Sequence, residues 1–116
     1  MFKQKDVSEH AHQVALVKRC KKEGIFIVSI PNGVWIPVSD PKAKQLVYQQ
    51  INKLKEEGMI EGMTDLIVIL QEHVIFLEMK NENGVLSKDQ INIHNRLKAL
   101  GQDIQVSIRK EQEWDD

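Results

Sequence analysis

Three side chains of this chain have the types and spacing to act on a phosphate. Asp65 opens an apolar run, Leu66-Ile67-Val68-Ile69-Leu70, and Glu78-Met79-Lys80 closes the next, Val74-Ile75-Phe76-Leu77. Two acids and a lysine at the ends of adjacent strands make a donor set that can hold a divalent cation beside a phosphodiester. Mg²⁺ prefers oxygen ligands, keeps several of its waters, and binds one or two carboxylates together with substrate phosphates. Such an ion neutralises phosphate charge and lowers the pKa of a bound water. A nearby lysine orients that water and offsets charge in the transition state. The pattern points to a metal-dependent nuclease.

Whether the three groups meet is a question of strand parity. Side chains alternate faces along a strand, so Glu78 and Lys80 share one face and Met79 takes the other. Directly opposed residues of an antiparallel pair share a face. A turn centred between Gln71 and Glu72 sets Asp65 opposite Glu78, and one centred between Glu72 and His73 sets it opposite Lys80. A turn centred on Glu72 would move Asp65 to Met79's face and separate the groups, so a site requires an even loop. The competing explanation is an ordinary cross-strand ion pair, which on a solvated face is worth little. Against it, both strands are apolar without interruption, as expected for strands buried on both faces.

The elements that must position these groups are legible from periodicity and caps. Residues 8–23 have helical spacing, with Asp6 or Ser8 to cap the start and Gly24 at the stop. Ile25 to Ile30 is β-branched and apolar and reads as a strand that Pro31-Asn32-Gly33 breaks. Residues 34–40 form a short extended piece, kept from the centre of a sheet by Pro37 and Pro41. A second helix runs over 41–57 with Asp40 as N-cap, Pro41 at its first position and Gly58 at its end. Its Leu46, Val47, Ile51 and Leu54 fall on one face. Strands at 65–70 and 74–80 follow, then a loop from Asn81 to Gly84. A helix starts at Ser87 and runs to about Leu100, with Ile91, Leu97 and Leu100 facing inward. The alternating stretch 104–108 is a last strand with one solvated face, and the charged tail from Arg109 frays. The order helix, strand, helix, strand, strand, helix, strand predicts an α/β or α+β sheet with helices against it.

Composition sets the bounds. At 116 residues the chain is one domain. A net charge of −1 gives no global signature of a nucleic-acid binder, although a metal site is itself acidic and a local basic face can cancel in the sum. A single cysteine, Cys20, excludes an internal disulfide framework and a multi-cysteine zinc site. There is no apolar leader and no run of membrane-spanning length, so the expectation is a soluble, intracellular protein.

The three strings Gly62-Met63-Thr64-Asp65-Leu66-Ile67-Val68, Phe76-Leu77-Glu78-Met79-Lys80 and Gly84-Val85-Leu86-Ser87-Lys88-Asp89-Gln90, in that order, resemble the VRR-NUC family. This is the virus-type replication-and-repair nuclease branch of the PD-(D/E)XK superfamily. Ser8-Glu9 with Gln13 is similar to the family's first motif, Asn32-Gly33 to the Asn-Gly after its first strand, and Gly101-Gln102-Asp103-Ile104-Gln105-Val106 to its closing motif. Thr64 stands where the family has proline, a backbone device that does not ligate metal.

The resemblance implies a restriction-endonuclease-like core, a central mixed sheet flanked by helices, in a compact stand-alone member of viral or bacterial type. It implies one nuclease domain over 1–116, with 34–60 as a helical insertion or dimerisation segment. Asp65 and Glu78 would be the main metal ligands, the main-chain carbonyl of Met79 a further one, and Glu9 a helix-borne acid that helps hold the ion. Lys80 would be the catalytic lysine, and Gln90 the helix glutamine that packs against the site. Both outer residues also fit capping boxes, Glu9 with Asp6 and Gln90 with Ser87. Lys88, Arg96, Lys98 and His94 are candidates for DNA contact, His94 also reading as a partly buried structural histidine. Lys18, Arg19, Lys21 and Lys22 complement a helix dipole.

The function so implied is a Mg²⁺- or Mn²⁺-dependent endodeoxyribonuclease acting on branched DNA such as four-way (Holliday) junctions. Paired cuts need two active sites, hence a homodimer, with neither nucleotide cofactor nor membrane. The alternatives are a non-catalytic module of nuclease-like fold that binds DNA or a replication protein, and a small restriction-type or recombination exonuclease of the same superfamily.

Overall fold

The computed structural model describes residues 7–31 and 40–108. The caps at Asp6 and the tail from Arg109, together with most of the extended piece expected at 34–40, lie outside the described residues. Seven elements follow in the expected order: α1 (Val7–Lys22), β1 (Phe26–Ser29), α2 (Pro41–Glu56), β2 (Leu66–Leu70), β3 (His73–Lys80), α3 (Lys88–Ala99) and β4 (Asp103–Ile108). The strands form one mixed sheet in the order β1-β2-β3-β4, antiparallel except for the parallel β3–β4 pair. A parallel neighbour needs a long crossover, and α3 supplies it. The protein is therefore an α/β structure with a four-stranded mixed sheet flanked by helices.

The hairpin register is even. Leu66 lies opposite Leu77 and Leu70 opposite His73, so the turn is Gln71-Glu72 and the ladder, continued one pair, sets Asp65 opposite Glu78. Glu72 closes the turn at φ 57, left-handed backbone that a residue other than glycine adopts at a cost. At the other end the amide of Ile30 donates to the carbonyl of Asp65 at 2.7 Å, extending the β1–β2 pairing to the acid itself.

The two faces of the sheet are covered unequally. Met79 and Ser107 are paired in the parallel ladder and share a face, and His12 of α1 bonds Ser107 there, Nε2 to Oγ at 3.0 Å. Glu78 lies on the opposite face, against His94 of α3. Near the site both faces are closed, and Leu66 and Met79 are fully buried. At the turn end they are not, and Ile69 and Val74 remain over a third exposed. Burial of the apolar strands on both faces thus holds only for the half next to the acids, because α3 covers its face there and not along the whole hairpin.

The helices follow their caps. Asp40 accepts the amide of Lys42 at 3.0 Å with Pro41 next in line, which starts α2 as predicted. Ile51 of α2 is buried, but Leu46 and Leu54 of the same stripe are exposed, and among the described residues α2 makes no close backbone approach to another element. In α3 the inward stripe is Gln90, Ile93, His94 and Leu97. Ile91 and Leu100, expected inward, are exposed. The helix is rotated so that His94 and Ile93, not Ile91, face inward.

Gly62 links α3 to the strand pair. Its φ is 84°, and a Cβ there would lie 2.5 Å from the carbonyl carbon of Asp89 and 2.8 Å from the amide nitrogen of Gln90. The backbone just ahead of Asp65 therefore rests directly on the first turn of α3. Gly62→Ala combines left-handed strain with a clash against immobile backbone and should cost about 3 kcal/mol. Urea unfolding checks this, and a loss below about 1 kcal/mol would show that the contact is not close-packed.

Candidate metal centre

Four elements or their flanks converge at one end of the sheet. Asp65 precedes β2, Glu78 and Lys80 end β3, Glu9 sits in the first turn of α1, and His94 lies on α3. Asp65, Glu78, Lys80 and His94 are all buried, Glu78 at 0% exposure. Charged groups are seldom buried to this degree without a partner or a task.

Each acid has one oxygen committed to the protein. Asp65 Oδ2 accepts the amide of Met79 at 2.8 Å, a bond from one strand to the next that fixes the carboxylate across the register. Glu78 Oε1 lies 3.0 Å from His94 Nε2. Among the described residues no donor reaches Glu78 Oε2, although that atom is buried. The Glu78 carboxyl is pushed up to about 10 by burial first, then by Asp65, which accepts a hydrogen bond from the neutral form and repels the charged one. Lys80 pulls the other way and Glu9 adds to the rise. His94 is held below the usual imidazole range by burial and by the charges of Lys98 and Lys80. Near neutral pH the Glu78–His94 contact is thus a hydrogen bond between two neutral groups rather than an ion pair.

Two buried carboxyls brought opposite each other by the hairpin register make a donor set suited to a divalent ion. Among the described residues no three His, Cys, Asp or Glu side chains stand together in a ready-made cage. A two-carboxylate site still fits an ion that keeps waters and takes the rest of its shell from substrate. Glu78 Oε2, buried and without a donor, is the atom whose surroundings fit best. Asp65, Glu78 and the Met79 carbonyl are the groups that would hold the ion, with Glu9 at the rim. Lys80 Nζ lies 4.0 Å from Glu9 Oε1, and Glu9 Oε1 also accepts the amide of Asn81 at 3.4 Å, so α1 brings its acid to the lysine.

The remaining sequence candidates divide. Gln90 forms the capping box: its Oε1 accepts the Ser87 amide at 2.8 Å, and Ser87 Oγ accepts the Gln90 amide at 3.2 Å. This is the capping box that the sequence offers beside the site role: the side-chain oxygen starts α3, and one turn later His94 contacts Glu78. His94 in turn is not placed for DNA contact, since it is 4% exposed and faces Glu78. Lys88, Arg96 and Lys98 are exposed on α3. The sequence reading of His94 as a partly buried histidine on the site-facing side of α3 did not name its partner, which is Glu78. The available signal was position 94 lying between Gln90 and Leu97 on one helical stripe. Thr64 is fully buried, and among the described residues its hydroxyl has no partner.

A scan against protein-family models and searches of curated proteins and of solved structures found nothing that matches this chain.

Two outcomes follow from burial. The folded protein holds the Glu78 proton to about 10, whereas the unfolded chain releases it near 4.5. The wild-type fold therefore loses stability as pH rises through that window, and a glutamine at 78 has no proton to lose. Glu78→Gln should raise Tm, with a gain that grows between roughly pH 5 and pH 9. Differential scanning calorimetry reads it, and a pH-independent difference would contradict a neutral buried Glu78. Thr64→Val removes an unpaired hydroxyl and should be neutral or stabilising by up to about 1 kcal/mol in urea melts; a loss above that would reveal a partner for the hydroxyl.

Proposed function

We propose that the protein is a Mg²⁺- or Mn²⁺-dependent DNA endonuclease that hydrolyses phosphodiesters in branched DNA, on a restriction-endonuclease-like core. The observation that carries this reading is the buried pairing of Asp65 with Glu78 at the strand ends beside Lys80, reached by an even register. A structural ion pair has no need of two acids opposite one another at a site that holds one of them neutral. The ion, when bound, would supply charge neutralisation of the phosphate and a more acidic water.

The chain's own residues have distinct tasks. Asp65 is held by the Met79 amide and presents a fixed carboxylate. Glu78 gives up its proton to become the second. Lys80, close to Glu9 and to both acids, orients the attacking water and offsets the negative charge that grows on the phosphate in the transition state. Exposed Lys88, Arg96 and Lys98 on α3 would take phosphates of the flanking strand. The resemblance of the Gly62–Val68, Phe76–Lys80 and Gly84–Gln90 strings to VRR-NUC nucleases supports branched DNA as the substrate class. It also supports a homodimer, because two cuts in one junction need two sites. The 34–60 segment is the candidate dimer surface, as Leu46 and Leu54 of α2 are exposed.

The test is cleavage of a labelled four-way junction beside linear duplex of the same sequence in Mg²⁺ or Mn²⁺, with gel filtration for the dimer. Lys80→Ala should slow junction cleavage by about 10²- to 10³-fold with the circular dichroism spectrum unchanged. Junction binding without cleavage in either metal would instead favour the non-catalytic binding module. Faster degradation of linear DNA from its ends would favour an exonuclease.

A further inference from the structure

His94 is a buried titratable group that the proposed chemistry does not use. It projects from α3 across the sheet interface, 16 positions along the chain from Glu78, and its Nε2 lies 3.0 Å from Glu78 Oε1. Histidine and glutamate are 4% and 0% exposed, so neither side chain has water as an alternative partner. Among the described residues the contact leaves Oε2 as the Glu78 oxygen without a donor. Two anchors at the base of α3 limit its movement: Gly62 packs on the backbone of Asp89 and Gln90, and the Ser87–Gln90 box fixes its first turn.

We infer that His94 is a positioning residue for the metal centre: it ties down one oxygen of Glu78 and so aims the other, Oε2, at the ion. A ligating carboxylate whose second oxygen is hydrogen-bonded keeps one rotamer, and loss of such an outer partner typically lowers metal affinity by about 10- to 100-fold. With Glu78 ionised, Nε2–H donates to Oε1, which requires the Nδ1-unprotonated tautomer. The role rests on the proposed metal site, and it makes α3 part of that site through its fourth residue after Gln90 rather than through Gln90 itself.

The test compares His94→Leu, which fills the volume without a donor, with His94→Gln, whose amide N–H reaches a position similar to that of Nε2. Mn²⁺ alone is the probe, titrated calorimetrically into the full chain. His94→Leu should weaken Mn²⁺ binding about tenfold or more, and His94→Gln should restore it to within about threefold of wild type. In the cleavage assay, the Mn²⁺ concentration for half-maximal rate should rise by the same factor while the rate at saturating Mn²⁺ changes little, a split that general damage to the fold would not produce. Should His94→Leu not fold, His94→Asn takes its place, since its shorter amide does not reach Oε1 and should show the same loss. Mn²⁺ affinity of the donor-free variant equal to wild type, or His94→Gln as weak as it, overturns the positioning role and leaves the metal centre standing. A wild-type chain that binds no Mn²⁺ overturns the metal centre and the role together.

Discussion

The structure turns on two carboxyls buried opposite each other at the open end of one hairpin. Burial first, and the neighbouring Asp65 after it, leave Glu78 protonated. Everything nearby is arranged around that compromise. The Met79 amide stabilises Asp65, the neutral His94 matches the neutral Glu78, and Lys80 with Glu9 sits at the margin where some solvent remains. A site that costs stability in this way is characteristic of function, where strain and unsatisfied groups are retained for what they later bind.

The rest of the fold serves to bring groups from distant parts of the chain to that end of the sheet. α1 and α3 lie on opposite faces, yet Glu9 and His94 both arrive there. The parallel β3–β4 crossover makes this possible by carrying α3 back over the strand that bears Glu78 and Lys80. Packing follows the same polarity along the hairpin, close around the acids and thinner toward Gln71-Glu72, where apolar side chains stay partly exposed. The closely packed half of the sheet is the half that holds the two carboxyls opposite each other.

Much of this was legible in the sequence, and what was not has specific causes. The helix starts came from cap chemistry, Asp40-Pro41 and Ser87, and fall where the structure has them. Parity required an even turn and the turn is even. The sequence could not choose between its two even registers, because Gln71-Glu72 carries no Asn-Gly or Gly signal and Glu72 adopts left-handed backbone without one. The inward face of α3 was misjudged at Ile91 and Leu100, which are exposed, whereas His94, read as a partly buried histidine, is buried against its partner on β3. Gln90 fitted both a cap and a site role, and only the geometry of Ser87 separated them. How far each helix would cover the sheet was also beyond the strands' composition, since apolar runs read alike whether one face or two is closed.

The account's central claim is that Asp65 and Glu78 form a site whose proton is a stand-in for a divalent cation. Carbon-13 NMR of the Glu78 side-chain carboxyl, followed through a pH titration with and without Mg²⁺, tests it most directly. The account predicts a carboxyl that stays protonated to about pH 10 in the metal-free protein and that ionises at markedly lower pH once Mg²⁺ is saturating. A Glu78 already ionised at neutral pH without metal, or a titration that Mg²⁺ leaves unmoved, would contradict it.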